Sequence, residues 1–170
     1  DDGYGGSIEN RCRLPLEVTD AVIAVWGADR VGYRISPFQP YNDISDSDPY
    51  QTFSYISGEL AKRDLGYLHM VELGGQAEEA EFLESRHQLF SHLRDIWPNT
   101  LMTNGGYDRP KADMVIGAGL ADLVAFGTDF LANPDLPERL QGGLTYNQPD
   151  RPTFYGGGAE GYTDYPFLSG

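Results

Sequence analysis

The apolar positions alternate between two rhythms along the chain. Leu14, Leu16, Val18, Ala21, Val22 and Val25 recur at helical spacing, with Ser7 placed to cap the helix and Gly27 to end it. From Val31 to Pro37 the pattern changes to a short run of β-branched and aromatic residues closed by proline, which predicts a buried strand. A polar loop from Ser36 to Asp48 follows, rich in Pro, Asn and Asp. The alternation then repeats. A helix is predicted from Tyr50 to Arg63, with Lys62 and Arg63 in the last turn, where cations suit the helix dipole. Leu65 to Glu72 reads as a strand, an irregular glycine-rich and acidic segment follows, and a helix is predicted around Arg86 to Ile96. Next come a strand from Thr100 to Asn104, a helix from Pro110 to Gly117 and a strand from Leu123 to Phe126. Asn133-Pro134-Asp135 opens a last helix that runs to Leu140. Four strands alternating with helices predict an α/β fold, a parallel sheet with helices outside it.

Composition narrows this picture. The chain has 170 residues, enough for one domain with a sizeable core. A net charge of −14 argues against nucleic acid or an anionic membrane surface as partner, because both need a basic face. No apolar run approaches the ~20 residues that cross a bilayer, and no signal-peptide pattern is present. Cys12 is the only cysteine, so no internal disulfide can form; a reducing, cytoplasmic setting is expected, with Cys12 used for packing. Asp1 to Ser7 lacks an initiator methionine and reads as the middle of a loop.

Three features carry candidate chemistry. Arg34 stands in the middle of an apolar strand, where a guanidinium needs an anion or an electron-rich acceptor. The pattern leaves open a structural ion pair or a ligand clamp. Asn104-Gly105-Gly106 and Phe126-Gly127-Thr128 follow consecutive strands, and such glycines serve either tight turns or a backbone cradle for phosphate. The tail from Thr153 to Pro166 combines flexible glycines with Tyr155, Tyr162 and Tyr165; it suits a surface coil on a barrel rim or an aromatic wall beside a ligand. His69, His87 and His92 share no short spacing with cysteines or paired acids, so no metal site is expected, and no nucleophile elbow appears.

Motifs spread over the whole chain carry a family resemblance: Tyr4-Gly5-Gly6-Ser7-Ile8-Glu9-Asn10-Arg11, Val31 to Pro37, Tyr67-Leu68-His69-Met70, Phe126-Gly127 with Asn133-Pro134-Asp135-Leu136, and the Phe154 to Pro166 tail. In that order they resemble the C-terminal half of the Old Yellow Enzyme family, the flavin-dependent ene-reductases. The resemblance implies strands five to eight of a (β/α)8 TIM barrel, a single FMN-binding domain completed by a missing N-terminal segment. It implies FMN as cofactor, NADPH or NADH as reductant, and a small activated alkene (enone, maleimide or nitroester) as substrate. Arg34 resembles the arginine beside the flavin N1/O2 edge that stabilises the reduced flavin. Asn104, Gly105 and Gly106 fall at one phosphate loop, and Gly127 with Thr128 at the second. Tyr155 resembles a tyrosine on the substrate side, and Phe38 and Gln39 fall in the loop bordering the substrate pocket. At position 128 the family usually has arginine, so Thr128 removes a charge from the phosphate site. The family's substrate-gripping His–Asn or His–His pair and its proton-donating tyrosine belong to the first four strands. The isolated chain is therefore expected to be inactive until paired with that half. A non-catalytic half-barrel that self-associates and binds flavin or phosphate without turnover is the alternative.

Overall fold

Local caps and a period-two pattern set the elements. The computed structural model describes residues 2–38, 41, 43–72 and 80–168, with side chains at all of these except 80–86. Two compact units divide the chain, Asp1–Val124 and Ala125–Gly170.

In the first unit, Ser7 Oγ accepts the Asn10 backbone N–H at 3.3 Å and starts α1 (Ile8–Arg11). A break at Cys12 separates it from α2 (Arg13–Trp26), where the sequence predicted one continuous helix. Pro15 has no N–H to donate to the Arg11 carbonyl, so the ladder is interrupted there. Gly27 ends α2 at φ +83, and a 3-10 turn leads into β1 (Gly32–Ile35). The Asp48 carboxylate accepts the Gln51 N–H at 3.0 Å and Pro49 occupies the first turn of α3 (Pro49–Ala61). After it come β2 (Tyr67–Val71), α4 (Ala80–Ile96) and β3 (Thr100–Asn104). Asp108 caps α5 (Arg109–Gly117) by accepting the Lys111 N–H, and β4 is only Leu123–Val124.

The four strands form one parallel sheet in the order β1-β2-β3-β4, as the alternation predicted. Its register sets Arg34, His69, Met102 and Leu123 in one row. Side chains alternate across the sheet. Val31, Ile35, Leu68, Met70 and Leu101 face the helices and join Ile56, Leu60, Leu89, Leu93 and Trp97 in the core. Each such leucine contributes about 1.5–3 kcal/mol by leaving water. Gly32, Arg34, Tyr67, His69, Met102 and Leu123 lie on the opposite face, where Tyr67 and Leu123 are 41% and 47% exposed. The Tyr67 ring lies so close over Gly32 that a Cβ there would fall 2.1 Å from a ring carbon.

One expectation for α2 is corrected. Leu16 and Ile23 pack against the core, but Leu14, Val18, Val22, Val25 and Trp26 are exposed. The helix carries two apolar stripes, one inward and one open, because positions 14, 18, 22 and 25 recur on a face that residues 16, 19 and 23 do not share.

The second unit contains α6 (Thr128–Ala132) and α7 (Leu136–Gly142), the latter ended by Gly143 at φ +63. The sequence predicted no helix at 128–132, since one turn after a glycine leaves no periodic signal. Asn133-Pro134-Asp135-Leu136 organises this unit. Asp135 and Arg139 form a buried ion pair at 2.6 Å. Arg139 also donates to the carbonyls of Thr145 at 2.8 Å and Pro166 at 3.1 Å, and the second Asp135 oxygen accepts the Leu168 N–H at 2.7 Å. Asn133 Oδ1 accepts the Asn147 N–H at 2.7 Å, and Asn147 Nδ2 donates to Pro166. The segment from Thr145 to Leu168 is thereby tied down at two carbonyls and two N–H groups. No helix among the described residues is long and apolar enough to cross a membrane.

Candidate functional site

The two ends of the sheet are chemically different. At the N-terminal ends of the strands the polar groups are matched. Gly66 N–H donates to the Val31 carbonyl at 2.9 Å, and Asn99 Nδ2 donates to Asp64 and to the Leu65 carbonyl. Asp122 accepts the Leu101 N–H at 2.8 Å and pairs with Arg94 at 2.7 Å. The Leu101 N–H and the Arg94 guanidinium hold the Asp122 carboxyl below the usual carboxylate range.

Toward the C-terminal ends the matching is incomplete. On the helix-free face the His69 and Asn104 side chains interact with each other, and His69 Nε2 and Asn104 Oδ1 are buried atoms that make no well-formed hydrogen bond among the described residues. Buried polar atoms of this kind are rare in folded proteins and point to something that completes them. Arg34, the register partner of His69, forms no ion pair with any described residue. The sequence predicted a buried guanidinium; in the structure Arg34 is exposed. The reason is its place on the outermost strand of the described sheet, on the face that no helix covers. Among the described residues Arg34 has neither an ion-pair partner nor a packed interior around it.

Asn104 leads directly into Gly105 and Gly106, which turn at φ +144 and +71. The space where a Gly106 Cβ would stand is open, so a ligand can approach this backbone closely. A pocket of about 520 Å³ lies beside the two glycines, lined also by Glu72, His87, Tyr107 and Lys111. Glu72 accepts the hydroxyls of Thr103 and Tyr107, which hold its carboxylate in place. Phe38 is partly buried against the core, and Gln39 lies outside the described residues.

In the second unit, Gly127 precedes α6 with open space at its Cβ position, and Thr128 is exposed. α6 is a single turn of five residues, too short to add an appreciable helix dipole. A pocket of about 650 Å³ is lined by Gly127, Phe130, Tyr162, Tyr165 and Phe167. Tyr155 is 94% exposed at φ +62, with its N–H donating to the Tyr162 hydroxyl at 3.0 Å. A large aromatic held into solvent from a left-handed backbone is an uncommon arrangement. Among the described residues no group of three or more His, Cys, Asp or Glu is placed to hold a metal ion.

Sequence reasoning did not place His69 beside Arg34. Its signal was present in the period-two pattern, which puts the third residues of β1 and β2 on one face, but the register that pairs them is not written in either strand alone.

Known proteins extend this geometry. The profile of the NADH:flavin oxidoreductase / NADH oxidase family matches residues 1–147. Rice (Oryza sativa subsp. japonica) 12-oxophytodienoate reductase 1 is 46% identical over 172 residues, covering 98% of this chain and 44% of the relative. Putative 12-oxophytodienoate reductase 10 from the same plant is 45% identical over 171 residues, covering 98% of this chain and 54% of the relative. The structure of morphinone reductase in complex with tetrahydroNAD superposes with a TM-score of 0.85 at 46% identity, over 99% of this chain and 44% of that one. The chain thus spans about half the length of these relatives, and the four-stranded sheet is a partial barrel. FMN with a nicotinamide nucleotide is the family's cofactor set. On the match over residues 1–147, the chain belongs to the NADH:flavin oxidoreductase / NADH oxidase family, the Old Yellow Enzyme family, as the C-terminal half of its members' length.

Proposed function

We propose that this chain is the FMN-edge and phosphate-loop half of an NAD(P)H-dependent ene-reductase, active once an N-terminal half completes the barrel. The observation that carries the reading is the contrast between the hydrogen-bonded N-terminal strand ends and the helix-free face, where among the described residues Arg34 forms no ion pair and His69 Nε2 and Asn104 Oδ1 form no well-made hydrogen bond. FMN, when bound, accepts a hydride from NADPH or NADH and delivers one to the β-carbon of an activated alkene such as an enone or maleimide. Arg34 would hold the developing negative charge at the flavin edge, where a guanidinium free of carboxylates exerts its whole charge. Asn104, Gly105 and Gly106 would hold the phosphate end through the backbone, with Gly127 and Thr128 at a second loop. Tyr155, Phe38 and Gln39 would border the substrate. The working compartment on this reading is the cytoplasm.

Thr128 makes one consequence measurable. A hydroxyl gives one hydrogen bond and no charge, whereas a charge-assisted contact contributes about 1.5–3 kcal/mol. The Thr128→Arg protein should therefore bind FMN at least about tenfold more tightly in a fluorescence titration. Equal affinities would remove the phosphate role from position 128.

The open stripe on α2 supports the completion of the barrel by further chain. Leu14, Val18, Val22 and Val25 leave one helix face uncovered, beside a sheet whose outer strands have unpaired edges. Val18→Asp combined with Val22→Asp should leave the fold of this chain intact, since both side chains are exposed. It should weaken association with the N-terminal half at least about a hundredfold, given about 1.5–3 kcal/mol per buried valine. Co-elution of the double variant with that half at wild-type affinity would assign the stripe elsewhere.

A further inference from the structure

We infer that Tyr162 is a positioning residue for Tyr155: its hydroxyl accepts the Tyr155 N–H and holds the backbone in the left-handed turn that sets where the Tyr155 ring projects. The inference rests on the reading that Tyr155 borders the substrate, and deepens it by naming the group that holds Tyr155 there.

A bulky residue rarely adopts a positive φ, because its Cβ crowds the following carbonyl oxygen. Such a conformation persists only where the surrounding structure determines it from several sides. Tyr155 has φ +62, and the groups that determine it are in view. The Phe154 N–H donates to the Arg151 carbonyl at 3.1 Å, and the Gly156 N–H to the Thr153 carbonyl at 3.0 Å. Between these two backbone bonds the Tyr155 N–H goes to a side chain instead, the Tyr162 hydroxyl, at 3.0 Å.

Tyr162 is itself held on both sides. The Ala159 carbonyl accepts the N–H groups of Tyr162 and Thr163, each at 3.0 Å, and the Asp164 carboxylate accepts the Gly161 N–H at 2.8 Å. Gly161, at φ +72, lets this turn close on Thr153, whose Oγ1 would lie 1.8 Å from a Cβ at position 161. The Tyr162 ring lines the pocket beside Gly127, together with Phe130, Tyr165 and Phe167. With its backbone fixed by the turn and its ring in the pocket wall, the hydroxyl is presented to the Tyr155 N–H. All of these contacts lie within the second unit, Ala125–Gly170, so this chain builds the arrangement by itself.

The test uses the full-length, FMN-loaded protein with a cyclic enone as acceptor. Tyr162→Phe keeps the ring in the pocket and removes the acceptor. It should raise KM for the enone about threefold to tenfold, the effect of one hydrogen bond, while kcat and FMN affinity stay within about twofold of wild type. Tyr155→Gly, which suits the positive φ but lacks the ring, should raise KM at least as far. Adding Tyr162→Phe to it should change nothing more. A merely structural role for Tyr162 would lower FMN retention and the unfolding temperature without this dependence on the Tyr155 ring. An unchanged KM in Tyr162→Phe, where Tyr155→Gly raises it, overturns the inference. So does a Tyr162→Phe effect of equal size with and without the Tyr155 ring. If Tyr162→Phe does not fold, amide hydrogen exchange in the wild-type protein decides: the Tyr155 N–H should be protected at least about tenfold, and exchange at the free-chain rate overturns the inference. The reading that Tyr155 borders the substrate fails separately, when Tyr155→Gly leaves KM at the wild-type value, and the inference then falls with it.

Discussion

Arg34→Met in the full-length protein should lower the flavin midpoint potential by about 30–60 mV, equivalent to losing about 1.5–3 kcal/mol of charge-assisted contact with the reduced form. In this chain alone the same variant should unfold at the wild-type temperature. Arg34 is exposed, forms no ion pair with the described residues and packs under no helix, so its removal leaves no cavity and no buried partner. Exposed substitutions of this kind stay within about 0.5 kcal/mol. A residue whose loss changes the redox balance and not the stability is held in place for its ligand. A stability loss with no change in potential would make Arg34 structural.

Arg139→Ala should have the largest effect on folding. Arg139 is 3% exposed, and its guanidinium joins Asp135, Thr145 and Pro166. Removing one partner of a buried pair costs about 3–5 kcal/mol because the other charge is left uncompensated. The whole stability of a domain is about 5–15 kcal/mol. The expected result is release of the tail beyond Asn147, seen as rapid proteolysis between Asp150 and Pro166, with unfolding of the second unit at a lower temperature. The pair also sets an acid limit. The Arg139 hydrogen bond, foremost, and the Leu168 N–H hold the Asp135 carboxyl below its ordinary range. A carboxylate with a depressed folded pKa contributes its full stabilisation above the unfolded value of about 3.9, and loses it as pH falls below that value through the folded one. Tail protection measured by proteolysis should therefore be constant near neutral pH and disappear below about pH 4.

The alternation of strands and helices was legible because period two and period 3.6 are properties of short windows. The strand Thr100–Asn104 reads at its observed bounds without knowledge of its neighbours, whereas the predicted pattern passes over the Asp48 and Asp108 caps. What else escaped depends on the partners of each element. Val18 and Leu16 look alike in a helical pattern, and only packing separates the stripe that meets the sheet from the one left open. Arg34 reads as buried because its flanking residues are apolar, yet the face it occupies is covered by no helix. The pairing of Arg34 with His69 is a matter of register between strands 30 residues and more apart. Asn133, Asp135 and Arg139 stood out as a motif, but their acceptors and donors at Asn147, Pro166 and Leu168 come from a tail with no periodic signal.

The central claim is that this chain supplies the flavin-edge arginine and phosphate loops to an ene-reductase whose remaining parts lie on an N-terminal half. The most direct measurement mixes this chain with that half and FMN, then follows NADPH oxidation with a cyclic enone as acceptor. The account predicts a yellow complex in which enone-dependent oxidation appears only when both halves are present and is lost with Arg34→Met. A complex that holds FMN but oxidises no NADPH in the presence of enone would contradict it, and would mark the chain as part of a flavin-binding barrel without turnover.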